Sequence, residues 1–174
     1  GLPGQTMARW QENLTAAVDL APEHLSCYGL KVEEGTPLYA RRDSADLPGD
    51  EEQADMYLWT VDYLARHGYR QYEISNFARP GRESRHNLKY WNLDDYMGFG
   101  PGAHSCVGNL RYSFIKDLKQ YISGVDRKVS IIDEYENIDP LERAVEYIML
   151  GMRTTRGISE HDYRVRCQCD WRPV

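Results

Sequence analysis

Two amphipathic helix patterns, each feeding a short strand, constrain the fold of this chain more than any other feature. Met7, Trp10, Leu14, Ala17, Val18 and Ala21 recur at helical spacing, and Pro22 stops the run. Leu25 to Val32 then reads as a strand, with Tyr28, Leu30 and Val32 alternating, and Glu34-Gly35-Thr36-Pro37 as the turn after it. Asp50 is the expected N-cap of a second helix, with Gln53 at the reciprocal position. Its apolar face is Ala54, Tyr57, Leu58, Val61, Leu64 and Ala65, and Gly68 closes it. The helices should end at Ala21 and His67. Tyr72 to Ser75 is the next strand. The opening Gly1-Leu2-Pro3-Gly4-Gln5-Thr6 reads as a loop that normally leaves a strand. Helices alternating with strands predict an α/β fold with a parallel sheet or barrel.

The pattern changes after Asn76. Arg79, Arg82, Arg85 and Lys89 crowd a short irregular stretch that ends in His86-Asn87-Leu88-Lys89-Tyr90-Trp91. A single His near aromatics is ordinarily a packing residue. Here the imidazole stands beside two large rings and several cations. Iron in a haem takes an axial nitrogen, the porphyrin face takes flat apolar walls, and the propionates take positive charge. His86 is therefore a candidate iron ligand, with Asn87, Tyr90 and Trp91 around it.

Downstream, Asp95 to Ser105 carries Gly98, Gly100 and Gly102, but no apolar helix follows, so it is no dinucleotide fingerprint. Cys106-Val107 and Leu110 to Phe114 flank Gly108-Asn109, a hairpin signal. A short helix follows near Ile115 to Ser123. Asp139-Pro140-x-Glu142 opens another, running to about Arg153, with N-cap, Pro at the first position and an acid at the third. Ser159 and Asp162 look like the cap of a last helix. That helix has barely begun when the sequence stops, and the first loop lacks its strand, so both ends read as cuts in a longer protein.

Composition narrows the classes. Hydrophobic residues make up 41% and charged residues 28%, and no apolar run reaches membrane-spanning length. A net charge of −6 argues against nucleic acid as a partner. Thirteen Tyr and four Trp favour amphipathic cavities or interfaces, though such residues also fill cores. Cys27, Cys106, Cys167 and Cys169 form neither a disulfide framework nor a zinc spacing, which suits reduced thiols in a cytoplasmic protein.

Several segments together resemble the oxygen-independent coproporphyrinogen oxidase family of radical SAM proteins. They are Gly1 to Thr6, Leu25 to Tyr28 with Glu33 to Leu38, Tyr72 to Gly81, His86 to Trp91 with Gly98 to Ser105, and Leu150 to Thr154 with Gly157-Ile158. The resemblance implies the trailing part of an incomplete (β/α) TIM-type radical SAM barrel, followed by a smaller mixed or helical C-terminal region. It divides the chain into residues 1–78, the end of the barrel, residues 79–125, the HNxxYW and glycine-rich segment with its hairpin, and residues 126–174, the start of a helical domain.

The HNxxYW sequence is similar to that of the HemW-type haem chaperones within this family, where it is implicated in haem binding. The resemblance therefore implies haem as ligand at His86, Asn87, Tyr90 and Trp91, and delivery to haem-acceptor proteins. Tyr90 and Trp91 would pack against the ring and Asn87 would orient the loop or the imidazole. By the same alignment, Lys31 and His104 fall near S-adenosylmethionine contacts. Their plain readings are a solvated charge at a strand end and a turn residue. The family holds a 4Fe–4S cluster on a CxxxCxxC motif, and no such spacing occurs here. Cluster and S-adenosylmethionine are thus expected in the intact parent, and this chain alone is expected to be inactive. Two other functions stay open: an anaerobic coproporphyrinogen III oxidase performing oxidative decarboxylation, and a non-catalytic interaction module.

Overall fold

A computed structural model describes residues 1–44 and 46–167, which form two units divided between Ser84 and Arg85. In the first unit, α1 (Met7–Asp19) starts on the Thr6 hydroxyl, which accepts from the Arg9 N–H. It stops two residues short of the expected end, because Ala21 takes a φ of 50° and reverses the chain ahead of Pro22. α2 spans Asp50–Arg66. Its N-cap is Gly49, whose N–H donates to the Glu52 carboxylate at 3.1 Å, so the expected Asp50 and Gln53 cap is displaced by one residue.

The buried face of α2 also differs from the expected one. Met56, Thr60 and Leu64 are buried, whereas Leu58 is 63% exposed. Thr60 can take a core position because its hydroxyl is satisfied twice. It donates to the Met56 carbonyl at 2.6 Å and accepts from the Trp10 indole at 2.7 Å. A hydrophobicity pattern does not see such a residue. The core of the unit is Leu14, Leu64, Tyr69 and Phe77, with Trp10, Val18 and Trp59 packed around it. Each such side chain contributes about 1.5–3 kcal/mol on burial.

The strands of this unit are β1 (His24–Ser26), β2 (Arg70–Glu73) and β3 (Asn76–Ala78), in the order β1-β3-β2. Both described pairings are antiparallel, which departs from the expected parallel sheet. The cause is the tight turn at Ile74 and Ser75, which folds β3 back between β1 and β2. β1 and β2 keep a common direction but no longer touch as neighbours. The expected strand over Leu25–Val32 is likewise cut short at Ser26. Only the Cys27 N–H continues toward the sheet, donating to the Ser75 carbonyl at 2.7 Å.

The second unit begins with α3 (Arg85–Trp91). β4 (His104–Val107) and β5 (Leu110–Phe114) follow as the expected hairpin, with Val107 opposite Leu110 across Gly108-Asn109. After α4 (Leu118–Arg127), β6 (Ile132–Asn137) pairs antiparallel with β5. This sheet therefore runs across the expected boundary between residues 125 and 126. β6 is an edge strand, exposed along its whole length.

α5 (Pro140–Gly151) has the expected cap: Asp139 accepts from the Glu142 N–H at 2.9 Å. α6 (Glu160–Cys167) starts where expected, with the Ser159 hydroxyl accepting from the Asp162 N–H at 3.1 Å. Ala144, Tyr147, Tyr163 and Cys167 form the core between these two helices. Among the described residues, no helix is long and apolar enough to cross a membrane.

Candidate functional site

The HNxxYW segment is helical. α3 gives it two turns, and a helix places residues four apart on one face. His86 and Tyr90 are so placed. The His86 Nε2 and the Tyr90 hydroxyl share a hydrogen bond of 3.0 Å, and the rings meet edge to face with centroids 5.0 Å apart. His86 is exposed, while Asn87, Tyr90 and Trp91 are half-buried.

Tyr90 is held from behind. Its ring packs on Tyr96 at 4.6 Å, and Tyr96 is fixed by a two-way backbone bridge to Cys106, 2.9 Å in each direction. Behind the ring lies a cavity of about 310 Å³, lined by Tyr90, Leu93, Tyr96, Arg111, Arg143 and Glu146 among others. Burial and the nearby Cys106 raise the Tyr96 phenol above its ordinary value. In the same cavity Arg111 donates to Glu146 at 2.6 Å and to Glu136 at 2.8 Å. Burial disfavours its cation, but these two carboxylates outweigh burial and raise its pKa. Arg143 is 6% exposed and donates to the Gly108 carbonyl at 2.7 Å.

Three arginines from late in the chain secure the end of the motif helix. Arg153 lies over the Trp91 ring, 4.9 Å from its centroid. Arg156 donates to the Asn92 side chain at 2.8 Å, and Arg166 pairs with Asp94 at 2.7 Å. None of these partners was singled out in the sequence, because the contacts span some 60 to 70 positions. Arg153 does lie within the Leu150 to Thr154 segment that carries part of the family resemblance.

The four cations near the motif fall in different units of the chain. Arg79 lies over the Tyr69 ring at 4.9 Å, and Arg82 pairs with Glu23 at 3.4 Å, both within the first unit. Arg85 and Lys89 are on α3, where Lys89 donates to the Asp95 carbonyl at 3.2 Å. Lys31 lies in the first unit, outside any strand, and its exposed ammonium pairs with Glu33 at 2.8 Å. It therefore does not end a strand as expected. His104 opens β4 opposite Ser113 and is exposed. The glycine-rich turn before it has a steric reason. A Cβ on Gly98 would stand 2.4 Å from the His104 carbonyl oxygen.

Cys27 lies in the first unit and Cys106 and Cys167 in the second, all as free thiols; Cys169 lies outside the described residues. Among the described residues, no group of three or more His, Cys, Asp or Glu is placed to hold a metal ion. An exposed imidazole backed by two tyrosines is a different matter. It fits a metalloporphyrin, which needs one nitrogen and flat neighbours and not a closed cage.

No family model matches the chain. It is 38% identical over 162 residues to the haem chaperone HemW of Bacillus subtilis, covering 92% of this chain and 43% of that protein. It is 36% identical over 163 residues to the HemW of Synechocystis, covering 91% and 40%. A mitochondrial radical S-adenosyl methionine domain-containing protein 1 of Danio rerio is 32% identical over 181 residues, covering 94% and 39%. The chain thus spans less than half the length of the curated relatives it matches. The fold matches that of coproporphyrinogen III oxidase (HemN) from Escherichia coli, a radical SAM enzyme, with a TM-score of 0.75 over 97% of this chain and 42% of that one. At 22% identity that likeness speaks for the fold. Over the segment that it shares with them, the chain is similar to the HemW haem chaperones and their radical SAM relatives.

Proposed function

We propose that this protein carries haem and hands it to acceptor proteins in the cytoplasm. In this reading His86 supplies the axial nitrogen, Tyr90 and Trp91 pack beside the porphyrin, and Asn87 orients the imidazole. The observation that carries it is the exposed His86 imidazole on α3, set edge to face against Tyr90. The names of the HemW relatives support the same ligand. In the whole protein the chain would form the trailing part of a radical SAM barrel. The cluster would be held by cysteines outside this chain. S-adenosylmethionine would bind to the whole protein.

Haem titration of the chain and of His86→Ala tests the reading. The substitution should shift the Soret band and weaken binding about tenfold, near 1.4 kcal/mol. Unchanged spectrum and affinity would return His86 to a packing role and leave an interaction module as the function. The oxidase reading shares the fold match alone. Tight binding of coproporphyrinogen without binding of haem would favour it.

A further inference from the structure

The nitrogen that His86 would offer to a metal is already engaged. Its Nε2 lies 3.0 Å from the Tyr90 hydroxyl. Either group can be the donor in this contact; with the phenol donating, Nε2 carries the lone pair and the ring proton sits on Nδ1. The Tyr90 ring is no loose surface group. It is backed by Tyr96 and borders the cavity of about 310 Å³.

We propose that Tyr90 is a positioning residue that competes with a bound metalloporphyrin for the Nε2 lone pair of His86, and so hastens release of the cargo. The proposal rests on the haem-carrying reading above. On binding, the lone pair leaves the phenol proton and forms the bond to the metal. The hydroxyl keeps its proton and turns away, so no proton or electron is exchanged. On release the phenol takes Nε2 again. A carrier whose cargo must move on gains from such a competitor, because it lowers affinity without removing the ligand. The competition concerns only a porphyrin that carries a metal.

The test uses the full chain and Tyr90→Phe, which keeps the ring against Tyr96 and removes only the hydroxyl. Nitrogen-15 NMR of the histidine rings, without porphyrin, reads the tautomer. Wild type should show His86 with its proton on Nδ1, and Tyr90→Phe should move it toward Nε2. Release of iron protoporphyrin into excess apomyoglobin is then timed beside release of metal-free protoporphyrin. Tyr90→Phe should slow the iron porphyrin roughly threefold to tenfold relative to the metal-free one, the ratio that a single hydrogen bond supports. An unchanged tautomer, or an equal effect on both porphyrins, would overturn the proposal and leave Tyr90 as a packing surface. If His86→Ala released iron porphyrin like wild type, the haem-carrying reading would fail first, and the competition with it.

Discussion

The Asn76 side-chain amide donates to the Glu73 carboxylate at 2.6 Å, and neither side chain is exposed to solvent. The pair stands in one row across the sheet, since Asn76 faces Ser26 on β1 and Glu73 on β2. The Ser26 hydroxyl completes the row by donating to the Asn76 carbonyl oxygen at 2.8 Å. The same carboxylate accepts the Ser75 N–H at 2.9 Å, which fixes the turn that inserts β3.

Asn76→Leu should therefore destabilise the first unit well beyond what its lost packing accounts for. It strips a donor from a buried carboxylate, a cost of about 2–3 kcal/mol. Urea unfolding should show the free energy of unfolding falling by that amount, with a lower midpoint. A loss below about 0.5 kcal/mol would mean that water or another donor replaces the amide.

Gly98→Ala should disturb the second unit although it adds one methyl group. The new Cβ would meet the His104 carbonyl at 2.4 Å and the Ala103 side chain at 2.9 Å. The first of these is backbone and cannot turn aside, so the start of β4 must shift. The Gly98 N–H to Ser105 hydroxyl bond of 3.0 Å would lengthen with it. A loss of about 1–3 kcal/mol is expected, with amide exchange at Ser105 and Cys106 faster than in wild type. Unchanged exchange at those two positions would show that the loop yields instead.

Cys27 should be slow to alkylate. Burial pushes its thiol up to about 11, from an ordinary 9.0. At pH 8 that leaves roughly a hundredfold less thiolate than an ordinary cysteine carries. Iodoacetamide labelling followed by mass spectrometry should show its rate still climbing between pH 9 and pH 11. The same shift couples to stability. The folded thiol holds its proton longer than the unfolded one, so its contribution is complete below pH 9 and is lost as pH rises toward 11. A labelling rate that levels off near pH 9 would contradict the shift.

What could be read from the sequence was what depends on neighbours along the chain. Asp139, Ser159 and the Gly108-Asn109 turn each act within four residues, and each is where the pattern puts it. The stretch around His86 was read as irregular, whereas Arg85–Trp91 is helical, so the i,i+4 contact of His86 and Tyr90 was not legible. The direction of the first sheet was not legible, because it depends on where β3 docks and not on the strands themselves. Thr60 was missed because its partner Trp10 lies 50 positions away. The backing of the site by Tyr96 and by Arg153 is tertiary for the same reason.

β6 shows how a strand can be left open safely. Its outer edge is unpaired in the described sheet, yet Asp133 and Glu134 add negative charge to its six exposed residues, beside Glu136, which pairs with Arg111. Two copies approaching edge to edge would bring like charges face to face, which opposes the hydrogen bonding that bare edges invite. An acidic edge of this kind opposes pairing with a like edge by electrostatics alone.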